Sequence, residues 1–129
     1  SIGDAAVGVI SSMNYSGTHP SKMNRDFVKA YMAQSGGTPP TFGAVGVYDA
    51  FQAMYKVLEA QSGKPDPDKT MELVKTLKFE SPRGPIEIDP ATRDIVQNVY
   101  IRRTDRLKNG QLVDTEIATY PMVKDPSEH

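Results

Sequence analysis

The chain has 129 residues, a formal net charge of -1 and a hydrophobic share of 38%. This length allows one domain with a modest core, and 15 basic against 16 acidic side chains excludes the basic excess of a nucleic-acid-binding surface. Cysteine is absent, which excludes disulfides and thiolate metal sites, and no apolar run approaches the roughly 20 residues that cross a bilayer.

The first predicted element is a strand over residues 5–12, where small and β-branched residues run without a charged break. Such a run is typical of a parallel strand that is covered on both faces. The chain opens almost directly on this run, without the basic and apolar regions of a signal peptide. We therefore expect a mature or truncated piece of a longer polypeptide.

A first helix is predicted over residues 22–34. Turn-forming residues precede it, and Ser21 is a suitable N-cap. Met23, Phe27 and Tyr31 recur at helical spacing and form one apolar stripe. A Gly-Gly pair ends the helix, and a Pro-Pro pair keeps the following segment extended.

A longer helix over residues 42–61 has the strongest periodic signal. Apolar residues recur at spacings of three and four over about five turns, so we expect this stripe to be buried against a sheet or other helices. The stripe consists of Ala44, Val47, Tyr48, Phe51, Met54, Tyr55 and Leu58. Gln52, Lys56 and Glu59 lie on the side that is expected to face solvent.

The remaining elements are a short helix and a C-terminal hairpin. Asp66 is the expected N-cap of the third helix, with Pro67 at its first position. Residues 81–85 are predicted to break the chain, and residues 86–88 alternate as a strand does. Two strands over 95–104 and 112–120 are predicted to pair through an Asn-Gly turn. The tail, residues 124–129, is expected to be disordered.

The sequence offers no catalytic or metal-binding set. His19 and His129 are the only histidines, neither has partners at ligand spacing, and His19 is expected in a surface loop. Ser11 and Ser12 lack the G-x-S-x-G context of a serine nucleophile. We therefore expect no enzyme, no metal and no cofactor.

Two aromatic residues are candidates for ligand contacts. Tyr15 follows the first predicted strand, and ligands of open α/β sheets bind at the carboxyl ends of strands. Tyr48 lies near the start of the long helix. Most of the other aromatic residues lie on helix stripes and are expected to belong to the core.

A combination of motifs resembles a known family. The long helix carries Val47-Tyr48-Asp49-Ala50, the stretch 84–89 reads Gly-Pro-Ile-Glu-Ile-Asp one helix later, and a Val-Tyr-Ile strand and an Asn-Gly turn follow. This order resembles the C-terminal third of the substrate-binding proteins of ABC transporters, in the branched-chain-amino-acid-binding, type I periplasmic family.

The resemblance implies an α/β fold in which two lobes are joined by three crossing strands. The chain would be a fragment of it, with three helices and a C-terminal antiparallel hairpin. Residues 1–25 and 95–123 would belong to the second lobe, and residues 30–90 to the first. Because such a fragment leaves apolar helix faces uncovered, we expect it to dimerise or swap segments with another chain.

One position departs from the family pattern. In amino-acid-binding members a glutamate commonly precedes the glycine that corresponds to Gly8, and it pairs with the ammonium group of the ligand. Here Val7 stands in that place. A valine cannot pair with a cation, and a buried unpaired ammonium is costly. The resemblance therefore implies a ligand contact at Val7 and an apolar or aromatic carboxylate as the ligand.

The function that the resemblance implies is solute capture for uptake. A periplasmic protein would close its lobes on a small molecule and deliver it to a membrane permease, with no bond made or broken. Three alternatives stay open: a small α/β enzyme, a ligand-sensing regulatory domain on the same fold, and an interaction module without a small ligand.

Overall fold

The computed structural model describes residues 3–126. Three helices and five strands follow a single 3₁₀ turn. In chain order they are the 3₁₀ helix Gly3–Ala6, β1 (Ile10–Met13), α1 (Lys22–Gln34), α2 (Phe42–Ala60), α3 (Pro67–Val74), β2 (Lys78–Ser81), β3 (Gly84–Ile88), β4 (Ile95–Arg106) and β5 (Leu112–Val123).

Strand β4 is the centre of an antiparallel five-stranded sheet. One edge of β4 pairs with β5 over most of its length. The other edge pairs first with β3, in the register Ile86 to Gln97, and then with β1, in the register Met13 to Tyr100. β2 pairs with β3 and extends the sheet beyond it. The first and last strands are therefore joined only through β4.

The helix boundaries follow local signals in the sequence. The Ser21 side chain accepts a hydrogen bond from the main-chain N–H of Asn24 at 3.0 Å, and Asp66 accepts one from Lys69 at 2.8 Å. Pro67 stands at the start of α3, as predicted. These contacts satisfy N–H groups that the first helical turn leaves unpaired.

The prediction of a buried parallel strand over residues 5–12 is wrong. The main-chain N–H of Val7 bonds to Asp4 at 3.2 Å and that of Val9 to Ala6 at 3.0 Å, which coils the first half of the run. Gly8 has a φ of +87°, a left-handed conformation that breaks an extended strand. Only Ile10–Met13 form a strand, which is antiparallel to β4, and Ile10 is exposed.

The apolar stripe of α2 is not buried in the described part of the chain. Val47 is 60% exposed and Phe51 50%, and Met54 and Tyr55 are exposed as well. The side of α2 that is covered carries Val45, Asp49 and Val57 instead. The periodicity correctly predicted the helix, but not which of its sides is covered.

The segment 81–85 is a hairpin turn rather than a break. Ser81 pairs with Gly84 across the turn, and β2, which the sequence analysis missed, pairs with β3. Serine, proline and glycine at these positions are typical of a type I turn. The covered apolar residues of the chain include Ile86, Val96 and Tyr100.

The C-terminal hairpin forms as predicted and is longer than predicted, because β4 and β5 both have 12 residues. Its pairing is interrupted between Gln97 and Val99 and between Ile101 and Arg102. Beyond it, Lys124 forms an ion pair with Asp89. Residues 127–129, which include the predicted end of the tail and His129, lie outside the described residues.

Candidate ligand-binding site

Val7 lies in the turn between the 3₁₀ helix and β1. Its side chain is 46% exposed, close to the 51% of Val9. The next residue, Gly8, donates its main-chain N–H to the Thr104 oxygen on β4 at 2.8 Å, which fixes the turn against the sheet. The turn thus presents an apolar side chain at position 7.

Tyr15 is buried rather than open to a ligand in the described chain. It is 2% exposed, and its hydroxyl donates to Asn24 Oδ1 at 3.0 Å. Its main-chain oxygen accepts from Arg102 Nη1 at 3.0 Å. Burial raises the pKa of Tyr15 to about 12. These contacts give Tyr15 a structural role, and a ligand contact at Tyr15 stays a prediction.

Asn24, which the sequence analysis did not single out, organises the loop between β1 and α1. It is fully buried near the start of α1. Its side-chain amide donates to the main-chain oxygens of Gly17 at 3.1 Å and His19 at 3.0 Å. Only the three-dimensional path of the loop brings these oxygens together, so no local pattern indicates the role of Asn24.

His19 is not the surface residue that was expected. Its side chain is 15% exposed, and Nδ1 lies 2.9 Å from Glu116 Oε2 on β5. The imidazole ring also packs on Tyr100, with 5.0 Å between ring centroids. Ser16 donates to the Asp114 main-chain oxygen at 3.0 Å on the same strand. The loop after β1 is therefore fastened to β5.

Tyr48 borders an open groove between α1 and α2. Its ring centroid lies 4.9 Å from that of Phe27, and the groove has a volume of about 510 Å³. Lys22 and Asp26 stand on the same groove and pair with each other at 2.6 Å. An aromatic wall beside a cation and a carboxylate is chemically suited to an aromatic ligand with polar substituents.

The two candidate tyrosines, Tyr15 and Tyr48, both contact α1, whereas Val7 lies next to a contact with β4. Tyr15 bonds to Asn24 and Tyr48 packs on Phe27, and these partners are three residues apart on α1, so they lie on the same side of the helix. Val7 is adjacent to the contact with β4. α1 therefore sets the positions of both tyrosines.

A buried polar network lies where α2 meets the β2–β3 turn. Arg83 Nε donates to Asp49 Oδ2 at 2.8 Å, and both side chains are less than a tenth exposed. Arg83 Nη1 donates to Gln97 Oε1 at 2.5 Å. Burial raises the pKa of Asp49, although the charge of Arg83 acts in the opposite direction. From the sequence alone, Asp49 stands out only as a motif residue.

Residues 3–126 contain neither a metal-binding cluster nor a helix that could span a membrane. No group of three or more histidine, aspartate and glutamate side chains is placed to hold a metal ion in that part of the chain. Among the helices of these residues, none has the length and apolarity needed to span a membrane.

Comparisons with known proteins connect this architecture to a family. The family model for "Periplasmic binding protein" matches residues 1–111. Leu/Ile/Val-binding protein homolog 6 of Brucella abortus is 39% identical over 126 residues, which are 97% of this chain and 32% of that protein. The chain therefore spans about a third of the length of this relative.

Two crystal structures from Rhodopseudomonas palustris share the fold. A solute-binding protein of an ABC transporter from strain BisB5, in complex with 3,4-dihydroxybenzoic acid, is 48% identical, with a TM-score of 0.91 over 96% of this chain and 34% of that chain. One from strain HaA2, in complex with p-hydroxybenzoic acid, is 40% identical, with a TM-score of 0.81 over 94% of this chain and 33% of that chain. This chain has part of the type I periplasmic-binding-protein fold and belongs to the periplasmic binding protein family.

Proposed function

We propose that the gene product containing this chain is the solute-binding component of an ABC uptake transporter and captures an aromatic carboxylate. The observation that carries the proposal is the 48% identity, over 96% of the chain, to a solute-binding protein in complex with 3,4-dihydroxybenzoic acid. A hydroxybenzoate is the ligand of the second similar structure as well.

The side chain at position 7 supports an acid rather than an amino acid as ligand. An α-amino acid brings an ammonium group, which needs an anionic or strongly accepting partner when it is buried. Val7 supplies only apolar surface. A ring with a carboxylate has no such requirement at this point, and it gains free energy from apolar contact.

In this proposal the ligand lies between two lobes, and closure of the lobes makes the form that a membrane permease receives. Residues 1–25 and 95–123 contribute to the second lobe and residues 30–90 to the first, with a tail at 124–129. Val7, Tyr15 and Tyr48 are the ligand-contact candidates in this third of the protein. The protein acts in the periplasm and makes or breaks no bond.

The exposed face of α2 is in this proposal an internal face of the first lobe. Residues encoded elsewhere in the gene product cover it. In the isolated 129-residue chain the same face stays open, and we propose that two copies associate through it or exchange segments.

Calorimetry on the full gene product tests the ligand class. 3,4-Dihydroxybenzoate, 4-hydroxybenzoate and leucine are titrated separately under the same buffer conditions. We expect saturable binding of at least one hydroxybenzoate and at least 100-fold weaker binding of leucine, a difference of about 2.7 kcal/mol. Tight leucine binding with no heat from either aromatic acid would refute the proposed ligand class.

A further inference from the structure

A single buried arginine joins the sequence motifs on which the family resemblance rests. Arg83 stands in the β2–β3 turn. Its guanidinium bonds to Asp49 on α2, and its main-chain oxygen accepts the Tyr100 hydroxyl on β4 at 2.5 Å. The long helix, the turn and the Val-Tyr-Ile strand thus meet at one residue.

The same guanidinium reaches the strand junction of the sheet. Gln97 Oε1 accepts from Arg83 Nη1 at 2.5 Å and from Asn14 Nδ2 at 3.1 Å. Asn14 directly follows β1, and Gln97 lies near the start of β4. Arg83 therefore holds α2 in a fixed place relative to the end of β1 and the beginning of β4.

A buried ion pair of this kind is weak support for stability. Replacing such a pair with apolar side chains of similar volume is often neutral or stabilising, because two charges lose their hydration on burial. The pair instead fixes an orientation. Because the planar guanidinium donates its hydrogen bonds in fixed directions, it restricts how α2 can rotate or slide. Tyr48 immediately precedes Asp49, so the placement of Asp49 also sets that of Tyr48.

We propose that Arg83 is a positioning residue for ligand binding, which fixes α2 relative to the segments that leave β1 and enter β4 and does not contact the ligand. The inference rests on the proposed function, in which Asp49 and Arg83 belong to the first lobe and the segments that leave β1 and enter β4 to the second.

The test uses the full gene product and a variant that removes the whole pair, Asp49→Leu with Arg83→Met. Melting temperature without ligand and calorimetric affinity for 3,4-dihydroxybenzoate are measured for each protein. We expect the double variant to melt within about 4 °C of the wild type and to bind at least tenfold more weakly. A merely structural pair would show no affinity loss at unchanged melting temperature.

Two further variants sharpen the result. Gln97→Met leaves the Asp49–Arg83 pair intact and removes only the link to the strands, so it should also weaken binding at least tenfold with little change in melting temperature. Arg103→Met is the matched control, because Arg103 is an exposed arginine of β4 that pairs with Asp105. Its affinity should stay within twofold of the wild type.

The outcomes separate the two proposals. If the wild type binds no aromatic acid, the proposed function fails. If the wild type binds and the pair variant keeps wild-type affinity, the positioning role of Arg83 is overturned and the proposed function stands. Should the pair variant melt far below the wild type, Gln97→Met decides, and unchanged affinity in that variant overturns the positioning role.

Discussion

The hydrogen bond between Tyr15 and Asn24 shows how one residue can fix a loop that the sequence leaves undefined. Both side chains are buried, and the amide of Asn24 is shared with main-chain oxygens of the loop between β1 and α1. A buried hydroxyl that lacks this partner would leave a desolvated polar group. The contact therefore stabilises the conformation of the whole loop between β1 and α1.

Tyr15 gives a prediction at alkaline pH. Burial raises its pKa from 10.0 to about 12, so the folded state holds its proton where the unfolded state releases it. The associated stability is fully present below pH 10 and is lost as the pH rises through about 12. We expect the free energy of unfolding in urea to fall over this range, and to fall less steeply in Tyr15→Phe. Equal alkaline slopes in the two proteins would contradict the assignment.

The matched control for this experiment is Tyr31→Phe. Tyr31 is a half-exposed tyrosine on α1, the same helix that holds Asn24. Its substitution removes a phenol without touching the buried hydrogen bond. The alkaline slope of this variant should match that of the wild type.

Val7 gives a prediction about ligand charge. In the proposed site a carboxylate at position 7 would repel an aromatic acid, so Val7→Glu in the full gene product should lower its affinity by about tenfold or more. Val9→Glu introduces the same charge two residues away at a similarly exposed position and should have less than a twofold effect. Calorimetry with 4-hydroxybenzoate measures both. Equal losses would show that position 7 has no special relation to the ligand.

At the level of elements, the helices could be predicted because their signals are local. Ser21, Asp66 and Pro67 mark helix starts through contacts within a few residues, and the observed bounds of α1 and α2 agree with the predicted ones to within about one residue. The strands were harder to predict, because strand pairing depends on residues that are distant in the sequence. The short β2 was missed, and residues 5–12 were given one conformation, although a left-handed glycine divides them.

The candidate site was predictable only in part for the same reason. The motif positions around Tyr48 and Val7 are visible in the sequence. The links from Arg83 to Asp49 and Gln97 join residues 34 and 14 positions apart, and no periodicity reports such contacts. The motifs are therefore visible in the sequence, whereas the network that joins them is not.

The β2–β3 hairpin provides a prediction at this scale. Gly84 has a φ of +100°, and a Cβ at this position would lie 2.6 Å from the Tyr100 hydroxyl. Gly84→Ala therefore meets both backbone strain and a steric clash, and we expect it to reduce the free energy of unfolding by roughly 2–4 kcal/mol. Urea denaturation followed by circular dichroism measures the change.

A double-mutant cycle with Tyr100→Phe separates the two causes. Without the hydroxyl, the nearest remaining atom of residue 100 would lie 3.9 Å from the Cβ, so the clash with that side chain disappears. The double variant should be more stable than the sum of the single effects predicts. Strict additivity would show that backbone strain alone accounts for the cost.

On the scale of the whole molecule, the chain carries more apolar surface than its own residues cover. Val47, Phe51, Met54 and Tyr55 form one exposed face on α2. The 129 residues span about a third of the related proteins. A continuous apolar face of this kind promotes association when nothing else covers it.

We therefore expect the isolated chain to have a solution mass above the 14.2 kDa of one copy, measured by size exclusion with light scattering. Phe51→Gln with Tyr55→Gln should shift the population toward the single-chain mass, because both changes remove apolar area from the face and glutamine is a good helix former. Lys56→Gln with Glu59→Gln changes two exposed residues of the same helix outside this face and should leave the mass unchanged. A wild-type chain that elutes as a clean 14.2 kDa species would contradict association. In the full gene product, where we propose that this face is covered, the effect should be the reverse. The Phe51 and Tyr55 changes should lower the melting temperature of that protein, whereas the Lys56 and Glu59 changes should not.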